Sequence, residues 1–292
     1  MRILINDTMD LKRDFSTTAL EGHLSSIITP PVLKPFSKTE WADQHGMDYD
    51  VSNPVLNART LSMPFYCTSE LNYQKLVSYL ELNIVNKWYF EAINRSYTLR
   101  LTGSSKVVHH TEKWWFTLTF SEDIPTVEHV NALPRIHRKA GFTMDGVDFG
   151  NFGFSFLERH VQEILKPFPV KQNLRISSSH TTGLEYPDKN TYYANKQVKL
   201  PLFCKGADVL QKLDLLVWKL TQPGFREFDE IETGNWYKFI YRRIDVVEFI
   251  PEEWLKITLN LEFQETDIFD VLVDDYGNFL VDDNNKTLSK IL

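Results

Sequence analysis

Val198-Lys199-Leu200-Pro201-Leu202-Phe203-Cys204 decides the fold, because the stretch occurs twice. Its counterpart, 137 positions earlier, is Leu61-Ser62-Met63-Pro64-Phe65-Tyr66-Cys67. Apolar side chains fall on every second residue in both: Leu61, Met63, Phe65 and Cys67, then Val198, Leu200, Leu202 and Cys204. Period two predicts a strand with one face buried, and it places both cysteines on that face. Pro64 and Pro201 occupy the other face. Proline has no N–H for a ladder bond, so each is expected on an edge strand or at a bulge. Its presence in both stretches points to one edge managed in the same way twice.

Working outward, residues 15–82 match residues 152–219 without a gap at 15 of 68 positions. Chance identity of roughly 6% would give about four. The matches include Leu20/Leu157, His23/His160, Ile27/Ile164, Lys34/Lys171, Gly46/Gly183, Tyr49/Tyr186 and the run Gln74-Lys75-Leu76 against Gln211-Lys212-Leu213. A period this long is a domain rather than a solenoid unit. The sequence therefore reads as one domain present twice, over 1–137 and 138–265, followed by an acidic segment, 266–292.

The same elements are expected in each copy. A helix follows the proline-bearing strand. Thr68 or Ser69 caps the first, with Glu70 in its first turn and an apolar stripe of Tyr73, Leu76, Val77, Leu80 and Ile84. The second starts near Asp208, buries Val209, Leu213, Leu216, Val217 and Leu220, and stops at Pro223-Gly224. Alternating strands close each copy, with Trp114, Phe116, Leu118 and Phe120 in one and Ile257, Leu259, Leu261 and Phe263 in the other. Asp145-Gly146 is a two-residue hairpin signal, and Gly46 and Gly183 are expected at positive φ. Residues 123–139 read as a linker plus a short element. Val271–Val273 and Phe279–Val281 flank Asp274-Asp275-Tyr276-Gly277-Asn278 as a small acidic hairpin. The fold class is α+β, mainly β: two homologous sandwich or barrel domains, each with one packed helix, plus this C-terminal hairpin.

Composition bounds the function. The chain has 292 residues, 42% hydrophobic and 24% charged, with a net charge of −7. Residues 265–292 carry −5 of that charge and the body only −2, which argues against a basic nucleic-acid-binding surface. No apolar run reaches the ~18 residues of a membrane span. Met1 to Asp10 lacks the apolar core of a signal peptide, so assembly in a cytoplasm is expected. Cys67 and Cys204 belong to different copies and are expected as small buried hydrophobes rather than as a disulfide.

No catalytic motif is present: no phosphate loop, no Gly-x-Ser-x-Gly, no His-Glu-x-x-His. The expectation is no enzyme, no cofactor and no metal. His109 and His110 are adjacent and would point to opposite faces of a strand, a poor metal pair, so a surface turn is expected there. His23 and His160 match without a matched nucleophile or carboxylate beside them, which favours packing or hydrogen bonding. Asp274-Asp275 and Asp282-Asp283 invite a calcium reading, but they lack the spacing of an EF-hand loop, and a solvated acidic turn is the favoured reading. Trp114-Trp115 and Trp236 raise a sugar-stacking platform, but Trp114 falls on the expected core face.

Gly-Phe-Thr-Met-Asp-Gly-Val-Asp-Phe-Gly-Asn-Phe-Gly (141–153), Thr-Thr-Gly-Leu-Glu-Tyr (181–186), Val-Lys-Leu-Pro-Leu-Phe-Cys (198–204) and Trp-Leu-Lys-Ile-Thr-Leu-Asn-Leu-Glu-Phe (254–263) together resemble the N-terminal domain of siphophage distal tail proteins. That domain is similar to tail-tube proteins. The second copy carries the resemblance best; the first lacks the glycines at Met9-Asp10-Leu11 and regains the pattern at His45-Gly46-Met47-Asp48-Tyr49. The resemblance implies a structural protein of the virion tail tip or baseplate. It would form a ring that joins the tail tube to the tail hub and fibre proteins, with DNA only as passing cargo and no membrane insertion. A carbohydrate-binding adhesin and a tail-associated cell-wall hydrolase are the alternatives. The strands and helix starts marked by Pro64, Cys67, Pro201 and Cys204 are the candidate oligomer interface. Three chains would give six quasi-equivalent positions, a homotrimer with pseudo-six-fold symmetry; a homohexamer is the alternative.

Overall fold

Two sheets with the same strand order make up most of the chain in the computed structural model, which describes residues 2–20, 23–42, 44–127, 140–171, 191–230, 236–265, 270–271 and 289–290. The first sheet contains β1 (Ile3–Ile5), β2 (Met9–Asp10), β3 (Thr17–Ala19), β4 (Arg59–Cys67), β5 (Asn86–Phe90), β6 (Arg95–Ser104) and β7 (Lys113–Glu122). Their order is β2-β1-β5-β6-β7-β4-β3, with a short strand, Val108–His110, added beside the start of β7. The second contains β8 (Phe142–Met144), β9 (Val147–Asp148), β10 (Ser155–Phe156), β11 (Lys196–Lys205), β12 (Arg226–Glu230), β13 (Trp236–Ile250) and β14 (Trp254–Gln264). Its order is β9-β8-β12-β13-β14-β11-β10. Each strand of the first sheet thus has its counterpart seven labels later. The described residues form an α+β protein, mainly β.

Detail recurs as well as order. The pairing register skips Thr102 between β6 and β7, and it skips Arg242 between β13 and β14, so both sheets carry a bulge at the same place. Lys34 N–H donates to Val55 O and Asn57 N–H to Val32 O; Lys171 N–H donates to Tyr192 O and Ala194 N–H to Pro169 O, each bond 137 positions on.

Each sheet curls onto itself. Trp88 on β5 lies 5.0 Å from Phe120 on β7 and 6.4 Å from Phe65 on β4, ring centre to ring centre. Those strands are two and three places away, too far for contact across a flat sheet. In the second half Phe142 on β8 meets Phe156 on β10 at 4.7 Å, although the two strands sit near opposite ends of the order. The period-two residues line these interiors: Leu61, Met63, Phe65, Cys67, Val198, Leu200, Leu202 and Cys204 are all buried.

Five helices are described: α1 (Leu11–Phe15), α2 (His23–Ile28), α3 (Glu70–Glu81), α4 (His160–Ile164) and α5 (Val209–Leu220). Ser69 caps α3 by accepting from Asn72 N–H. Its inner face is Leu76 and Leu80. The expected stripe overran the helix at Ile84, which is 81% exposed beyond the Glu81 terminus. In α5 the expected stripe is buried throughout. Asp208 makes no cap bond; its carboxylate takes the Lys212 ammonium at 2.6 Å instead.

The hairpin at Asp145-Gly146 forms with φ of 50° and 72°, the left-handed pair that a two-residue turn requires. The first half reaches the same end without glycine. Asn6 and Asp7 take φ of 52° and 60° between β1 and β2, tolerated because their short polar side chains suit that region.

Several expectations change. Pro64 and Pro201 are one strand in from the edge; the edge strands are β3 and β10. His109 and His110 lie on a strand, next to a turn at Thr111-Glu112. Near the C-terminus, Asp270–Val271 pairs with Ser289–Lys290. Gly183, Tyr186, most of the linker, Phe279–Val281 and both acidic pairs, Asp274-Asp275 and Asp282-Asp283, lie outside the described residues, as does the side chain of His23.

Candidate assembly interface

The two prolines face the short edge strands. β3 pairs Ala19 with Phe65, so Leu20 stands opposite Pro64, and Leu20 N–H donates to Pro64 O at 3.0 Å. The return bond would need a proline N–H, so the ladder stops there. In the second sheet Leu157 N–H donates to Pro201 O at 2.9 Å, just past β10. Proline therefore cuts the edge strand short, twice, opposite a leucine of the same identity pair. Short edge strands limit unwanted pairing.

The cysteines mark these strands from the inside. Cys67 is fully buried and its thiol lies 3.0 Å from Ser69 O; burial raises its pKa. Burial pushes the Cys204 thiol up to about 12. Both stay protonated and unreactive, and neither is in a disulfide.

A different surface joins the halves. Several residues between Trp41 and Val51 of the first half lie on the second. The buried Lys171 ammonium donates to Trp41 O, Gln44 O and Gly46 O at 3.0, 2.9 and 2.5 Å. Gly46 N–H donates to Tyr193 O, and Gly224 N–H to Val51 O. Gly46 has φ +66°, and a Cβ there would stand 3.1 Å from Asn195 Oδ1, so the position requires glycine. His45 stacks on Tyr193 at 5.5 Å.

Three residues along is the ionic centre of the junction. Tyr49 OH donates to Glu262 Oε1 at 2.6 Å. Asn195 and Gln197 donate to the same carboxylate at 2.8 and 2.7 Å, and Arg242, the bulge residue of β13, at 2.9 Å. Burial pushes the Glu262 carboxyl up, but these donors outweigh it and hold it below its ordinary value. Burial, then the hydrogen bond to Glu262, pushes the Tyr49 phenol up to about 12. A second contact, Arg95 to Asp214 and to Leu210 O, ties the β5–β6 turn to α5. Helix α2 lies against β13.

Each half also has an internal cation at the start of its proline-bearing strand. Arg59 donates to Ile27 O at 2.9 Å and to Thr29 O, capping the end of α2, and pairs with Glu122. Lys196, at the same place in β11, donates to Ile164 O at 2.6 Å and Lys166 O at 2.9 Å, capping the end of α4. Both lie over an equivalent tyrosine ring, Tyr97 or Tyr237. The inter-half segment and these two cations were not singled out from the sequence. The available signal was a basic residue on the apolar parity of each strand, two positions before Leu61 and Val198.

The other described candidates take these places. His160 lies against Phe142 and Phe156, with Nδ1 2.7 Å from Leu157 O. His109 packs on Trp114 at 4.8 Å. Trp114 is partly buried against the core, and Trp236 sits beside Lys238. Among the described residues there is no group of three or more side chains suited to a metal ion, and no helix long and apolar enough to cross a membrane.

No protein-family model matches the chain, and no curated protein matches it. A solved structure with some likeness is SPP1 Dit (gp 19.1), described as a paradigm of the hub adsorption apparatus in Gram-positive infecting phages. The identity is 11% and the TM-score 0.31, over 90% of this chain and 98% of that one.

Proposed function

We propose that this chain is a structural protein of a phage tail tip, in which two copies of a tail-tube-like domain build a ring between the tail tube and the tail hub. The reading joins the sequence resemblance to one observation, the way the halves meet. The first half contributes residues 44–51, Trp41, Arg95 and α2. The second contributes Lys171, Tyr193, Arg242, Glu262 and α5. The equivalents of that second set, Lys34, Leu56, Thr102, Ser121 and α3, take no part among the described residues. Two similar units thus meet head to tail through different surfaces. A contact of that kind, repeated, closes into a ring or runs on as a filament, whereas a two-fold contact would end at a pair.

Three chains then supply six similar positions around a channel for DNA, and the function is assembly rather than catalysis. Native mass measurement tests this: about 103 kDa for three chains of 34.2 kDa, against about 205 kDa for six. A six-chain ring with like halves in contact would replace the trimer and keep the tail-protein reading. A chain that stays monomeric at micromolar concentration, alone and with tube protein, would overturn the ring.

A further inference from the structure

We propose that the exposed apolar face of α4 docks on β6 of a second copy of this chain, repeating between chains the contact that α2 makes with β13 within one. The proposal rests on the ring reading above and names the surface that would close it.

Helices α2 and α4 are one element in two settings. They share the identity pair Ile27/Ile164, and each ends under the cation that starts its own proline-bearing strand, Arg59 or Lys196. At the offset of 137 positions, Leu24, Ile28 and Leu33 correspond to Val161, Leu165 and Val170. Leu33 and Val170 also make equivalent bridges, to Leu56 and Tyr193. In the first half all three positions are covered: Ile28 is 3% exposed, and Leu24 and Leu33 pack against the core. In the second half they are open, Val161 at 39%, Leu165 at 54% and Val170 at 62%. Positions 161 and 165 are one helical turn apart, so they form one apolar face. Each helix lies on its own strand, α2 on β4 and α4 on β11, but α2 also lies against β13 of the other half.

The receiving strand is open in the complementary way. β6 is the counterpart of β13. Ile240, Tyr241 and Ile244 of β13 are buried, whereas Arg100, Leu101 and Ser104, at the same register in β6, are not. Beside β6 lies a cleft of about 320 Å³ lined by Val77, Leu80, Ile84 and Leu101, with Arg100 and Ser104. Ile84, on α3's side of it, is 81% exposed. At four places around this cleft the second half carries larger side chains: Trp218 for Glu81, Leu220 for Asn83, Tyr241 for Leu101 and Ile244 for Ser104. An apolar centre is thus available to Val161 and Leu165. Its rim is polar, with the Arg100–Asp123 pair on one side and the Glu163–Lys166 pair on the other.

The occupant follows from the pattern. Each chain uses one helix face and one strand face in its own junction and leaves the equivalent helix and strand over, on opposite halves. Identical units joined head to tail leave such a pair at the two ends of every series, and the next copy satisfies both. The ionic centre of the junction does not recur: Glu262 corresponds to Ser121 and Arg242 to Thr102. The contact between chains is therefore weaker than the one within, and assembly depends on concentration.

The experiment is a photo-cross-link. p-Benzoylphenylalanine is placed at Leu165 in the full chain, the assembled protein is irradiated, and covalent dimers are digested with trypsin. The expected partner peptides are 96–100 and 101–106, which carry β6. Leu165→Glu is expected to raise the concentration needed for assembly roughly tenfold or more, because it places a charge in an apolar contact. Its melting temperature as a monomer should be unchanged, since the side chain is exposed there. A dimer joined through the α4 peptide of both chains, or a cross-link to tube protein alone, overturns this contact. So does a wild-type ring that gives no covalent dimer and is indifferent to Leu165→Glu; the ring reading then stands without it. A wild-type chain that neither assembles nor cross-links, alone or with tube protein, overturns both.

Discussion

Arg59 and Lys196 perform one task in two surroundings, and the contrast shows what the fold demands of that position. Both cap the final carbonyls of a short helix, at Ile27 and Thr29 in the first half and at Ile164 and Lys166 in the second. A helix terminus leaves carbonyls without partners, and a cation satisfies them and suits the helix dipole. The charge is balanced differently. Arg59 has the buried Glu122 carboxylate across the strand pair. At the matching place Lys196 faces Phe263, and three rings, Phe168, Tyr237 and Phe263, present their faces at 4.4, 4.6 and 5.7 Å. Both positions carry a basic residue, set against a paired carboxylate in one half and mainly against aromatic faces, with Glu265 nearby, in the other.

The comparison is broken most severely by Arg59→Met. It leaves the Glu122 carboxylate buried without its counter-charge, and a loss of about 3–5 kcal/mol in denaturant unfolding is expected. Rebuilding the other solution in its place sharpens the test. Arg59→Lys/Glu122→Phe recreates the pair found in the second half and should recover most of that loss. A double variant as unstable as Arg59→Met would show that the two environments are not interchangeable.

Lys196→Met is milder. It strips two carbonyls of their donor, and the carboxylate nearby, Glu265, is only partly buried, so about 1–3 kcal/mol is expected from the same measurement. Next is Tyr49→Phe at the junction between halves. Glu262 keeps Asn195, Gln197 and Arg242 as donors, so the loss should be about 1 kcal/mol, read as increased amide exchange confined to the Lys171 and Glu262 neighbourhoods.

The last comparison separates the cations by pH. Burial lowers the Lys196 pKa to about 8, below the 10.5 of a free lysine. Between those values the unfolded chain holds a proton that the folded one has released. The stability of the wild type relative to Lys196→Met should therefore rise as pH goes from about 8 to about 10.5. The same comparison with Arg59→Met should stay flat across that window, because a guanidinium does not titrate there. Paired denaturation curves at pH 7.5 and 10 check both; a flat Lys196 curve would mean that its carbonyls and rings hold the proton against burial.

Much of this architecture was legible in the residues. The two period-two strands, the helices after them and the Asp145-Gly146 hairpin could all be read because each depends on local periodicity or turn chemistry. The placement of the prolines was misjudged by one strand. Proline reports only that its N–H side lacks a full ladder, and a three-residue or two-residue edge strand meets that condition as well as solvent does. Ile84 fitted the helical stripe, but helix α3 had already ended, since spacing does not register where a terminus falls.

The junction between halves was not legible. Lys171, Gly46, Tyr49 and Glu262 are up to 216 positions apart, from Gly46 to Glu262, and three of the contacts are to backbone carbonyls, which every residue possesses. By itself the sequence showed a strand, proline, cysteine and helix in fixed order at two places 137 positions apart. Those features are repeated local patterns, and identity at a fixed offset exposes them. Only the tertiary structure decided that the strand order is β2-β1-β5-β6-β7-β4-β3 in one sheet and its equivalent in the other, and that several residues between Trp41 and Val51 of one half rest on the other. Strand order and domain contact arise from non-local burial and from backbone hydrogen bonds, and neither leaves a period in the chain.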